Sequence, residues 1–195
     1  MALHIIQYPH PTLRHASKPL RKVDAELRRI VREMFDLMYA ANGVGLAANQ
    51  VDLPYRVFVI NLQADAAATD EECVFINPVL TARKGMNEAE EGCLSLPALY
   101  GQVKRPEKVV LNAFDLAGEE LTLELDGLFA RAVQHEVDHL DGVLFIDRLS
   151  PTGEMEARQA LRDFEEEFLH RRSRGEIPDD EAIDRRLADL EKERT

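Results

Sequence analysis

Residues 120–141 read Glu-Leu-Thr-Leu-Glu-Leu-Asp-Gly-Leu-Phe-Ala-Arg-Ala-Val-Gln-His-Glu-Val-Asp-His-Leu-Asp, one strand running almost directly into one helix. Leu121, Leu123 and Leu125 alternate with polar residues over 120–125, the period of a half-buried strand. A helix then opens near Gly127 and continues to about Asp141. Upstream, strands are expected at 108–114, at 56–61 (Arg-Val-Phe-Val-Ile-Asn) and at 73–76, the last stopped by Asn77-Pro78. A first long helix is expected over 24–41, where Leu27, Ile30, Val31, Met34, Leu37, Met38 and Ala41 recur at helical spacing behind the N-cap candidate Asp24. Strands cluster before the second helix instead of alternating with helices. That order predicts an α+β fold, with mostly antiparallel strands packed around a central helix.

Composition narrows the function. A chain of 195 residues favours one globular domain, and 45% hydrophobic with 31% charged residues suits a packed core. With 24 Lys and Arg against 36 Asp and Glu, the net charge is -12. This argues against a dedicated binder of DNA or of an anionic membrane, because counterion release needs a basic face. No apolar run approaches the ~18 residues of a membrane helix. The opening Met-Ala-Leu-His-Ile-Ile-Gln lacks the pattern of a signal peptide. Only Cys73 and Cys93 are present, so a disulfide framework is not expected. The reading is a cytoplasmic protein with reduced thiols.

The chemistry starts inside the second helix. His135 and His139, four residues apart, lie one above the other on one helical face and can reach one metal ion. Glu136 projects about 100° round the helix, where it can flank an open coordination position and exchange a proton with water. A His-Glu-x-x-His run arises by chance in on the order of one chain in a few hundred. A catalytic metal needs a third protein ligand. One protease class would place His at position 145, which is Phe here; a second would recruit Glu165–Glu167; a third option is the thiolate of Cys93. Cys73, beside Val74, Phe75 and Ile76, reads as a small buried apolar residue.

A further segment, Gly43-Val44-Gly45-Leu46-Ala47-Ala48-Asn49-Gln50, pairs glycines that let backbone approach a ligand and lacks the lysine of a phosphate loop. Together with Glu91-Gly92-Cys93-Leu94-Ser95 and Gln134-His135-Glu136-Val137-Asp138-His139-Leu140, it resembles the signature set of peptide deformylases, in the same order. Tyr8-Pro9-His10-Pro11-Thr12-Leu13-Arg14 and Val103-Lys104-Arg105-Pro106 add to the likeness, which covers roughly residues 3–149. The resemblance implies that Cys93, His135 and His139 bind a divalent metal, foremost Fe2+, with Zn2+, Ni2+ or Co2+ able to replace it. It implies Glu136 as general base and then general acid, and Gln50 with the backbone N–H of Leu94 as donors to the oxyanion. The implied reaction is hydrolysis of N-formylmethionyl nascent peptides to formate and a free amine.

Leu128, Arg131 and Ala132 share the face of His135 and, with Val44 beside Gly43 and Gly45, are expected to wall the methionine pocket. The Arg131 stem would line it while the guanidinium reaches water. Asp138 and Arg105 are candidates for a supporting ion pair. The domain reading is a deformylase-like catalytic domain at 1–150, net -7, and a charged helical extension at 151–195, net -5. In the extension, Ala160, Leu161, Phe164 and Phe168 form one apolar stripe on a packed helix. Past a break at Gly175–Pro178, Ile183, Leu187 and Leu190 stand among dense charges, which predicts a solvated, frayed helix. Arginines 171, 172, 174, 185 and 186 would there form a basic patch suited to a ribosome contact. Cys93→Ser should weaken metal retention, whereas Cys73→Ser should lower only thermal stability; a metal titration that requires Cys73 instead would refute this.

Overall fold

A computed structural model describes residues 3–195. Helix α1 (Ala25–Ala40) begins at Asp24, whose carboxylate accepts from Leu27 N at 2.9 Å. Seven strands follow: β1 (Gly45–Ala47), β2 (Val57–Ile60), β3 (Cys73–Lys84), β4 (Asn87–Cys93), β5 (Leu96–Arg105), β6 (Lys108–Phe114) and β7 (Glu120–Asp126). Helix α2 (Gly127–Leu140) carries the two histidines, and α3 (Pro151–Ser173) and α4 (Asp180–Arg194) form the extension. Strands β1-β2-β3-β6-β7 make one antiparallel sheet, and β4-β5 pair only with each other. The architecture is thus mixed helix and antiparallel sheet.

β2 explains the layering. Val57 and Val59 turn into a cluster with Leu27, Ile30, Met34 and Met38 of α1. Phe58 and Ile60 turn the other way, into a cluster with Ala130, Val133 and Val137 of α2. An unbroken apolar run is what a strand covered on both faces requires. α1 and α2 therefore sandwich the sheet, and α2 is fixed along its whole length.

Several elements depart from expectation. β3 does not stop at Asn77-Pro78: the ladder shifts register between Ile76 and Val79, with Asn77 in the left-handed region at φ 54. The bulge absorbs the proline's missing N–H, and the Asn77 amide bonds both the N and O of Leu20 at 2.8 Å. β1, β4 and β5 carry no clear apolar alternation and were not expected.

The extension is helical, but α4 is neither solvated nor frayed. Ile183 (2% exposed) and Leu187 (1%) close a cluster with Phe168 and Ile177. Around it Arg194 donates to Asp24 at 2.6 Å, Lys18 and His15 each approach Glu191 at 2.7 Å, and Arg186 pairs with Asp52 at 2.5 Å. The expected basic patch is also absent, because each of its arginines faces a carboxylate: Arg171 and Arg174 meet Glu176, Arg172 meets Asp180, Arg185 meets Glu181, and Arg186 meets Asp52.

Leu187→Ala should therefore cost about 2–5 kcal/mol, a fall in Tm of roughly 5–15 °C in a thermal melt; a frayed helix would lose almost nothing. Burial alone would raise the Glu191 carboxyl, but hydrogen bonds from Lys18 and His15 hold it below its ordinary value. A carboxyl held low stabilises the fold above its unfolded pKa, and that stabilisation disappears as pH falls through the folded pKa. From about pH 6 down to about pH 3, Tm should fall more steeply in the parent than in Glu191→Gln. Parallel curves would remove Glu191 from the acid response.

Candidate metal centre

The site assembles where α2 meets the turn between β4 and β5. His135 and His139 point one Nε2 each to a common spot, 3.2 Å apart, and Cys93 Sγ approaches His139 Nε2 at 3.2 Å. One ligand atom from each of the three lies within 4.8 Å of the others, and this is the single such group of His, Cys, Asp or Glu among the described residues. The protease alternative fails: Glu165 lies on α3 and accepts from Tyr8 Oη at 2.9 Å.

The surroundings fit a bound cation. Burial disfavours a charged His135, yet contacts with Cys93 and Glu91 push its pKa up to about 10. Groups that draw a proton onto a buried imidazole present net negative charge, which a divalent ion satisfies with the same atoms. Glu91 Oε2 lies 3.0 Å from His135 Nδ1, leaving Nε2 to face Cys93. Burial would raise Glu91, but the bonds from His135 and Arg105 hold it well below the usual carboxylate range. His139 is pushed well below its ordinary value by burial and by the neighbouring His135.

Glu136 follows His135 on α2 and is 4% exposed. Burial pushes its carboxyl up to about 7, and its Oε2 has no hydrogen-bond partner among the described residues. The backbone of Gly45 passes directly against it: a Cβ there would sit 2.4 Å from Glu136 Oε1. Gln50 stands in the single turn Ala48–Val51, its Oε1 accepting from Ala47 N at 2.9 Å. The amide nitrogen is thereby aimed at Cys93 Sγ (3.4 Å) and Ser95 Oγ (3.2 Å). Ile6 N donates to Gln50 O and Tyr8 N to Ser95 O, so the N-terminal segment bridges both loops.

A cleft of about 810 Å³ opens over this group. Gly43, Val44, Gly45, Gln50, Cys93, Leu94, Leu128, Arg131, Ala132, His135 and Glu136 all line it, and His139 lies beneath, 1% exposed. Leu128 stands at the rim, 61% exposed, and Leu94 packs against Gly43. The Arg131 guanidinium, expected to reach water, turns onto the β4–β5 hairpin, pairs with Glu91 through Nη1 and keeps Nη2 at the exposed edge. The expected Arg105–Asp138 ion pair is present at 2.6 Å. Sequence reading gave no role to Glu91, Ser95 or Asn49, whose amide donates to the His139 carbonyl. Glu91, two residues before the thiol, was the one with a signal.

A family model described as polypeptide deformylase matches residues 2–155. A peptide deformylase of Rhodopirellula baltica is 49% identical over 191 residues, 98% of this chain and 94% of that protein, so the likeness takes in nearly all of the extension. One from Acinetobacter baumannii is 42% identical over 176 residues, 90% of this chain and 96% of its own. Among solved structures, a plant peptide deformylase superposes with a TM-score of 0.84 at 36% identity, covering 91% of this chain and 95% of the other. A Legionella pneumophila peptide deformylase gives 0.78 at 39%, covering 91% and 100%. Similarity of this extent, on a chain that brings a thiol and two imidazoles together beside a buried carboxyl, means that the protein belongs to the peptide deformylase family, metal-dependent hydrolases that remove the formyl group from nascent polypeptides.

Proposed function

We propose that this chain carries out its family's hydrolysis with Cys93, His135 and His139 as metal ligands, Glu136 as the proton carrier, and Gln50 with the Leu94 backbone N–H as donors to the oxyanion. The observation that carries the reading is the convergence of one Sγ and two Nε2 atoms within 4.8 Å. A thiolate with two imidazoles suits Fe2+, our choice of ion, and equally Zn2+, Ni2+ or Co2+. When bound, the metal supplies Lewis-acid activation of the scissile carbonyl and of water.

The protein groups divide the remaining work. Glu136, raised toward neutral pH by burial, takes a proton from the attacking water and returns it to the departing amine nitrogen. The Gln50 amide, held with its nitrogen toward the site, donates to the oxygen of the tetrahedral centre; such a donor is worth about 3–4 kcal/mol. Val44, Leu128, Ala132 and the Arg131 stem wall the space for the methionine side chain, with Gly43 and Gly45 letting the substrate backbone pass close. A formyl group carries only hydrogen beyond its carbon, so a tight pocket admits it and rejects larger acyl groups. The substrate is met in the cytoplasm, and the proposal uses no ribosome contact through the paired arginines of the extension.

Glu136→Ala should retain its metal and lose about two to four orders of magnitude in formate release from a formyl-methionyl peptide. Near-parental turnover with metal bound would remove Glu136 from the mechanism. Gly45→Ala should fold normally, since the atoms it meets are those of one side chain. By displacing the carboxylate it should cost on the order of 10²-fold in kcat. Equal kcat in the folded variant would show that the close approach is not needed. Cleavage of unformylated peptides as fast as deformylation would favour a peptidase instead.

A further inference from the structure

The three proposed ligands come from two parts of the chain that share no sheet. His135 and His139 ride on α2, which is held by the core, whereas Cys93 ends β4 in a two-stranded hairpin. The turn carrying the thiol is held by Gln50 and the N-terminal segment, and its distance to the histidines is set by what ties the hairpin to α2. Arg131, one turn before His135, donates Nη1 to the Val103 carbonyl of β5 at 3.0 Å and to the Glu91 carboxylate at 2.5 Å. Its Nη2 donates to the Asn87 carbonyl at the far end of β4 at 2.9 Å. One planar guanidinium thus grips both strands at once.

From this geometry we infer that Arg131 is a positioning residue, which clamps the β4–β5 hairpin to α2 and so sets Cys93 against the two histidines. The inference rests on the proposed ligand set. It separates two uses of one side chain: the stem belongs to the cleft wall, and the head to the frame of the metal site. Lysine cannot replace it, because a single ammonium does not span three acceptors on two strands. Glu91 alone is an incomplete tie, since its carboxylate reaches α2 only through His135 and Arg131. Arg105 is a second bridge from the hairpin to α2, joining Glu91 to Asp138, whereas Arg131 alone also holds the main chain of both strands.

The test uses the Co2+-loaded enzyme and reads cobalt release into excess chelator, the thiolate-to-cobalt charge-transfer band, and KM. Arg131→Met, which keeps the apolar stem, should release cobalt about 10–100-fold faster than the parent, the usual effect of losing a group that orients a ligand. Its thiolate band should weaken or shift, and Arg131→Lys should recover little of either property. Arg194→Met, which removes a buried ion pair with Asp24 on the far side, should lower Tm and leave cobalt release and the band unchanged. Parental release and an unshifted band in Arg131→Met would overturn the inference, as would a rise in KM alone. Equal release from Arg194→Met and Arg131→Met would likewise overturn it, by showing general loosening. A parent enzyme without any thiolate band would instead overturn the ligand set, and the inference with it.

Discussion

A carboxylate cannot be buried alone, and the metal centre is organised around that constraint at Glu91. The residue is 7% exposed, and an uncompensated charge there would cost several kcal/mol. Arg105 grips it with two bonds, Arg131 adds a third, and His135 Nδ1 completes the set. Satisfying the charge draws α2, β4 and β5 to one point. It also fixes the His135 ring so that Nδ1 faces a carboxylate and Nε2 faces the thiol two residues further along β4. Asp138 extends the network by accepting from Arg105 and from Arg148, which ties in the segment leading to α3.

The dry side of the site follows from β2. Because both faces of that strand are covered, β1, which pairs with it from Gly45 to Ala47, has a rigid backing. The glycine at its start then brings main chain against the Glu136 carboxylate, where a side chain would stand in the way. The Glu136 carboxyl, raised toward neutrality by burial and the proposed proton carrier, is held in place by absence of bulk on one side and by its own helix on the other.

What the sequence reveals about this site depends on how local each relation is. His135, Glu136 and His139 are legible because helical periodicity alone puts them on neighbouring faces. The pairing of Arg105 with Asp138 was within reach because each belongs to a recognisable segment. Cys93 is different: it is joined to the histidines only through a hairpin, and Asn87-Glu88-Ala89-Glu90-Glu91-Gly92-Cys93 is too charged to read as a strand. Thiolate chemistry makes Cys93 one of three options, and only the family resemblance chooses among them. The error over α4 has the same origin. Ile183 and Leu187 look too few for a core, but Phe168 and Ile177 reach them from other segments and the four close one cluster. Asn77-Pro78 misled for an opposite reason, since a bulge let the strand continue past a residue that cannot donate.

Asp52 closes the turn that holds Asn49 and Gln50, and its partner Arg186 belongs to α4. Every residue of the metal centre therefore leaves the ribosome before the helix that braces the Gln50 turn from behind. Chains are made from the N-terminal side, so the brace is the later of the two to be synthesised. The finished brace arrives with residues 180–194. The turn that carries Gln50 is thus braced by a helix made more than 120 residues after it.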